Sequence, residues 1–277
     1  MDTLSPLLSR FNPGASVFFS DRLCQNLGFD VPTGFGYIHV FREGQLTVTR
    51  PNTETLILTE PTVLFYPRPC QHHFQVDEKI GAKLVCASIE FGTGIANPIL
   101  SGLPDVLCIP LAKMKGIDMT LNLLFDEAFD QQPGRKSAID RLIEYFLVQV
   151  LRHVMREKTV QPGVLATLAE PRLSKALSVM HEQPEQLWTL EELAQTAGMS
   201  RARFAVHFRE AMGLTPLEYL TDWRISVAQS LLRRGLALKL IAPMVGYASN
   251  VALTRAFTRR LGIPPAQWLA DKTAEKI

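Results

Sequence analysis

The sequence predicts an α+β chain of two domains: an N-terminal β-barrel followed by a helical region, and an all-α C-terminal domain holding two helix-turn-helix units. Three observations carry that expectation. Short β-branched and aromatic runs, separated by Gly, Pro, Asn or Asp, fill residues 36–91. An apolar stripe at three- and four-residue steps occupies 138–156. The C-terminal residues then repeat one pattern twice.

Strands are expected at 36–41, 45–49, 55–58, 62–66, 73–76 and 83–91, a spacing that suggests a small sandwich or jelly-roll barrel. His39, His72 and His73 are the histidines of this half. No HxH pair exists, and adjacent His72 and His73 in an extended strand point to opposite faces, so they do not ligate one ion together. The expectation is no metal and no cofactor, with one histidine hydrogen-bonded at a strand end in the barrel mouth. Phe41, Phe65, Tyr66 and Phe74 are candidate lining for a small effector, although alternating aromatics in strands are more often core.

Beyond the strands, Leu121, Leu124, Phe125 and Phe129 mark one helix. Ile139, Leu142, Ile143, Phe146, Leu147, Val150, Leu151 and Val154 then form a stripe that must be covered, predicting a helical hairpin packed on the barrel. Residues 159–163, Thr-Val-Gln-Pro-Gly, break the helix as a short linker.

In the repeat, Ala194-Gln-Thr-Ala-Gly198-Met recurs 48 residues later as Ala242-Pro-Met-Val-Gly246-Tyr. Phe204, Phe208, Gly213, Pro216 and Tyr219 recur 49 residues later as Leu253, Phe257, Gly262, Pro265 and Trp268, so one residue is inserted at the turn. Thr189-Leu-Glu-Glu192 predicts a capping box at the start of the first copy, Gly198 a turn, and Ser200 the cap of the next helix. A long apolar-faced helix over 217–234 would join the copies. Helix-turn-helix units place their second helix in the major groove of double-stranded DNA, and two in one chain would read segments roughly 34 Å apart. Pro243 falls inside the first helix of the second copy, where it should bend or shorten that helix.

Charge is distributed to match. From residue 165 onward there are 14 basic against 10 acidic residues, a net +4, leaving −2 for the rest of a chain whose total is +2. With 277 residues, 47% of them hydrophobic, the chain can bury two ordinary cores. No signal-like start and no long apolar run appear, so a cytoplasmic protein without membrane contact is expected. Four cysteines without a CxxC pair fit neither a disulfide scaffold nor a zinc ribbon.

The segments Ser200-Arg-Ala-Arg-Phe204, His207-Phe-Arg209, Gly213-Leu-Thr-Pro216-Leu-Glu-Tyr219, Arg224, Ala228, Leu231-Leu232, Val245-Gly-Tyr247, Arg255-Ala-Phe257 and Leu261-Gly-Ile-Pro-Pro265 resemble the DNA-binding domain of AraC/XylS-type regulators. Pro243 departs from that pattern. The resemblance puts Ala202, Ala205 and Val206 at base edges, with Arg201, Arg203 and Arg209 on phosphate or flanking bases. Asn250, Val251, Thr254 and Arg255 hold the corresponding face of the second copy. It also implies a transcription activator working with RNA polymerase, and homodimerisation through Leu142, Phe146, Leu147 and Val150.

Glu60-Pro-Thr-Val-Leu-Phe-Tyr-Pro67 followed by His72 resembles a stretch of the cupin domains that accompany this module. The expected division is a cupin-like sensory barrel over 1–115, a helical hairpin over 116–160 and the DNA-binding domain over 165–277. The surroundings of Cys24 and Cys86 are similar to a subgroup responding to reactive chlorine and other oxidants, with Arg22 near enough in sequence to favour the Cys24 thiolate. The signal is therefore cysteine oxidation or a small effector. A cupin-type metalloenzyme lacks its ligand set here, and a DNA-independent protein that blocks another regulator would not need Arg201, Arg209 and Arg255.

Overall fold

A computed structural model describes residues 2, 4–29, 35–91, 97–100, 102–130, 132–157 and 161–274, with side chains as far as Asp271. Two compact units divide the chain. One comprises Pro13–Ile95 and Leu103–Val160; the other comprises Met1–Asn12, Ala96–Gly102 and Gln161–Ile277. Residues 1–12 and 97–100, which the sequence reading put in the barrel, therefore group with the helical unit. Helix α1 (Ser5–Phe11) shows why: Leu7 and Phe11 are buried, and the Phe11 ring meets Trp223 edge-on at 5.5 Å.

The first unit is a sandwich of two antiparallel sheets. Its strands are β1 (Gly14–Leu23), β2 (Leu27–Phe29), β3 (Gly36–Gly44), β4 (Leu46–Thr49), β5 (Leu56–Leu58), β6 (Thr62–Tyr66), β7 (His72–Gln75), β8 (Ala82–Glu90) and β9 (Leu107–Pro110). One sheet runs β1-β8-β3-β6-β9 and the other β2-β7-β4-β5, so the barrel of the sequence reading is a cupin-like pair of sheets. Phe41, Leu64, Tyr66, Leu84 and Cys86 from the first pack with Phe29, Leu46, Val48, Leu58 and Phe74 from the second. Strand β1 escaped sequence reading because Ser16, Ser20, Asp21 and Arg22 dilute its apolar residues and a bulge between Val17 and Phe19 breaks the alternation.

Helices α2 (Asp118–Phe129) and α3 (Arg135–Glu157) follow as the expected hairpin. Helix α3 covers the outer edge of β1. The Val17 amide donates to Asp140 Oδ1 at 2.7 Å, the Ala15 amide to Glu144 Oε1 at 3.4 Å, and Arg135 to Ser20 Oγ at 2.6 Å. Acceptors on α3 thus satisfy an edge that would otherwise template another strand. Phe146, Leu147 and Val150 are 0–1% exposed, which corrects their place on a dimer surface: the stripe is core, and only Leu142 of the four is partly exposed, beside Tyr145 at 49%. Of the linker, Thr159 and Val160 lie outside the described residues.

In the helical unit, α4 (Val164–Leu168) and α5 (Leu173–Glu182) precede α6 (Leu190–Thr196), α7 (Arg201–Met212), α8 (Pro216–Arg233), α9 (Leu238–Met244), α10 (Asn250–Leu261) and α11 (Pro265–Ala274). Thr189 and Glu192 form the capping box read from sequence, and Thr215 with Glu218 forms a second one at the start of α8. Helix α8 buries Tyr219, Leu220, Trp223, Ile225, Val227, Ala228, Leu231 and Leu232. The shortening expected from Pro243 is absent, since α9 has seven residues as α6 does. Pro243 sits in the last turn, and the Val245 amide still reaches the Ile241 carbonyl at 3.2 Å, so the helix closes without the missing donor.

Candidate nucleic-acid interface

The two copies superimpose by number. Helix α9 starts and ends 48 residues after α6, and α10 starts and ends 49 residues after α7. Gly198 and Gly246 stand at the turns with φ of +63° and +74°, a left-handed conformation that a side chain would strain. Ser249 caps α10 by accepting from the Ala252 amide at 3.2 Å, whereas Ser200 holds the same extended backbone at α7 without a side-chain bond.

Each second helix buries one face and presents the other. Phe204, Phe208 and Met212 point inward from α7, Leu253 and Phe257 from α10. Outward lie Arg201, Ala202, Arg203, Val206 and Arg209 on α7, and Asn250, Val251 and Arg255 on α10, with the equivalent pair Ala205 and Thr254 half-buried. Val206 and Val251 are 59% and 60% exposed, unusual for valine on a helix that has a core to join. Arg201, Arg203, Arg209 and Arg255 hold no hydrogen bond or ion pair with the described residues. Three other arginines of the unit are engaged: Arg260 is bidentate on Asp222, Arg233 lies over the Trp268 ring at 5.2 Å, and Arg224 binds backbone carbonyls. Exposed guanidiniums of this kind offer the donors that phosphates and base edges accept. One flank of α7, a groove of about 420 Å³ lined by Ala202, Arg203, Val206, His207 and Glu210, is less suited to phosphate, because His207 lies 3.9 Å from both Glu170 and Glu210.

Behind these helices the core is aromatic. Phe204 packs on Phe208 at 5.6 Å, and Phe208 on Tyr219 at 6.0 Å. The Tyr219 hydroxyl lies 2.6 Å from His181 Nε2, and the His181 ring lies 4.0 Å from that of Trp223. Burial, helped by the charge of Arg10, holds the His181 pKa down at about 3. Sequence reading missed this cluster, since α5 carried no motif to flag it.

The candidate sensor residues of the sandwich fall in different places. Cys86 is fully buried, and burial pushes its thiol pKa well up; Cys24 is exposed. Cys86 faces Phe19 on β1 and His39 on β3, whereas Cys24 lies one residue past Leu23, whose partner is Ala82. That register puts them about 13–17 Å apart along the strands, beyond the roughly 7 Å between Cα atoms that a disulfide spans. Arg22 is held by Glu43 at 3.1 Å and by the Ile80 carbonyl at 2.8 Å.

Among the aromatics read as effector lining, Phe41, Tyr66 and Phe74 belong to the packed core between the sheets. Phe65 alternates with Leu64 and Tyr66 and so faces the other side of its sheet, which removes it from any shared lining. His72 is buried and His73 half-buried, as opposite faces require. The expected barrel-mouth histidine is instead a buried pair. His72 Nδ1 donates to the Cys70 carbonyl at 2.8 Å, so His72 Nε2 is bare and accepts from His39 Nε2 at 2.9 Å. His39 Nδ1 is then a buried acceptor with no partner among the described residues, as is the Tyr66 hydroxyl whose ring stacks on His72 at 4.1 Å. Burial holds the His72 pKa at about 4 and that of His39 well below its usual value. Among the described residues, no group of three His, Cys, Asp or Glu is placed to hold a metal ion, and no helix is long and apolar enough to cross a membrane.

A family described as Cupin matches residues 2–156, and one described as Helix-turn-helix domain matches residues 193–271. The chain is 30% identical over 280 residues to the RCS-specific HTH-type transcriptional activator RclR of Escherichia coli (strain K12), covering 97% of each protein. It is 37% identical over 195 residues to an AraC-like transcription regulator of Streptomyces lividans, covering 69% of this chain and 64% of that protein. The crystal structure of the DNA-binding domain of AdpA in complex with a target DNA matches 38% of this chain and 95% of that chain at 34% identity, with a TM-score of 0.35.

Proposed function

The chain belongs to the AraC-type DNA-binding transcription regulators that carry an N-terminal cupin domain, a family of regulators and not of enzymes, and on that premise we propose how it reads DNA and what controls it. Helices α7 and α10 enter successive major-groove segments of one duplex. Ala202, Ala205, Val206, Asn250, Val251, Thr254 and Arg255 meet base edges, and Arg201, Arg203 and Arg209 hold phosphates. The observation that carries this reading is the set of exposed arginines without hydrogen bonds or ion pairs among the described residues, on the outer faces of two helices in 49-residue register. The protein acts in the cytoplasm as an activator, as a homodimer in contact with RNA polymerase. Its dimer surface uses the Leu142 and Tyr145 edge of α3, the exposed margin of a stripe that is otherwise core.

Readout can be tested by two substitutions on a duplex selected by the wild-type protein. Arg255→Ala should cost about 1–3 kcal/mol on that duplex and relax preference at one base pair. Arg209→Ala should weaken all sequences alike and lower the salt slope by about one phosphate contact. Identical base-preference profiles for both variants and wild type would reject the assignment of Arg255 to a base edge.

Control lies in the sandwich. The proposed signal is oxidation of cysteine, with Cys24 reacting at the surface and Cys86 altering the core between the sheets once it becomes polar. The strand register makes a direct Cys24–Cys86 bridge incompatible with the fold described, so the two act separately or after strand movement. Cys24→Ser and Cys86→Ser should each abolish oxidant-induced transcription and leave basal DNA affinity within about 0.5 kcal/mol. Full switching by the double variant sinks the cysteine reading. A second reading, a small effector in the sandwich, is favoured by the unpartnered His39 Nδ1 and Tyr66 hydroxyl, which a bound polar molecule would satisfy.

A further inference from the structure

Helix α8 joins the two DNA-reading units, and one of its side chains reaches both. Arg224 donates from Nε to the Pro184 carbonyl and from Nη2 to the Gln186 carbonyl, each at 2.7 Å, and both carbonyls belong to the segment that leads into α6 of the first unit. The same guanidinium lies 5.9 Å from the centre of the Tyr247 ring, in the turn of the second unit. Gly246 beside that ring has no room for a side chain. A Cβ there would come within 2.7 Å of Arg224 Nη2 and 2.9 Å of the Glu185 carbonyl oxygen. The turn of the second unit is thus packed directly on the guanidinium and on the strand of backbone that the guanidinium holds. Two residues earlier on α8, Asp222 is gripped by Nε and Nη2 of Arg260 from α10, the latter at 2.6 Å.

We infer that Arg224 is a positioning residue: it sets the distance and angle between the two DNA-reading helices, and so the spacing of the two base-pair segments the protein recognises together. This rests on the proposal that both α7 and α10 enter DNA. The lever is long enough to matter. With reading helices roughly 34 Å apart, a rotation of about 5° at the joint moves one of them by about 3 Å, close to one base-pair step. Arginine suits the place because a planar fork serves two carbonyls while its face lies on a ring, which the point charge of lysine cannot do.

The test uses the full-length protein and a duplex that wild type selects from random sequence, together with versions in which the stretch between the two segments is longer or shorter by one base pair. Wild type should prefer the selected spacing by about tenfold or more. Arg224→Ala and Arg224→Lys should bind the three duplexes within about threefold of one another, with the selected one weakened most. Tyr247→Leu and Gly246→Ala, which disturb the same joint without replacing Arg224, should flatten the preference in the same direction if the arginine variants fail to fold. A uniform loss on all three duplexes with the spacing preference intact would make Arg224 merely a stabilising residue and overturn the inference. If wild type itself ignores spacing, the reading of two segments by one chain falls, and the positioning role falls with it.

Discussion

Replacing Phe257 by alanine should destabilise the helical unit by about 3–5 kcal/mol, close to the whole margin of an ordinary domain. Helix α10 buries only Leu253 and Phe257, and Phe257 is fully enclosed with Trp268 of α11 edge-on at 5.9 Å. Helix α9 adds only Ile241 and Ala242 as buried side chains of its own. Truncation therefore opens a cavity at the base of a reading helix and frees α10 to shift. Urea unfolding of the full chain, followed by far-ultraviolet circular dichroism, measures the loss. Val251→Ala on the exposed face of the same helix should change stability by less than about 0.5 kcal/mol yet still weaken DNA binding. Equal losses of stability for the two variants would contradict the division of α10 into a core face and a DNA face.

Acidification should weaken both units well before carboxylates titrate. The pKa of His181 is about 3 in the folded state against 6.5 ordinarily, because burial and the charge of Arg10 oppose a proton there. Between those values the unfolded chain binds more protons than the folded one, so stability is complete near neutrality and falls as pH drops below 6.5. At pH 5 the loss is about 2 kcal/mol for His181. His72, held at about 4 by burial, contributes a loss of about the same size to the sandwich over its own window from 6.5 to 4. Denaturant midpoints at pH 7, 6 and 5 measure the trend. His181→Phe should flatten the dependence of the helical unit, and a slope as steep as that of wild type would reject the assignment to His181.

Much of the reading half was legible because its signals are local. Capping boxes, turn glycines and the i, i+4 spacing of Phe204 and Phe208 are set within one or two helical turns, so a single sequence displays them. Repetition then supplied a control that one copy could not, since the offsets of 48 and 49 residues return as the bounds of α9 and α10. The strands with clean alternation were legible for the same reason, and β6 runs over 62–66 as expected. Strand β1 was not, because an edge strand capped by polar groups of α3 needs no apolar alternation on its own account. Nor was the burial of Phe146, Leu147 and Val150 against a free dimer face, because periodicity says which side chains share a stripe and not what covers them.

By itself the sequence determined the two helix-turn-helix units, the outer faces of their second helices and the absence of an HxH metal pair, all of which follow from spacing along one chain, while the class of protein came from the resemblance of its motifs to a known family. Only the tertiary structure decided that Arg224 and Arg260 are engaged within the unit, since they find their partners 38 to 42 residues away. It also decided that Cys86 sits in the core while Cys24 sits outside, and that His39 and His72, 33 residues apart, share one proton bridge between sheets. The physical reason is common to all of these. Propensity, capping and periodicity are properties of neighbouring residues, whereas burial, pairing and the pKa shifts that follow depend on which distant segment the fold brings to the other side.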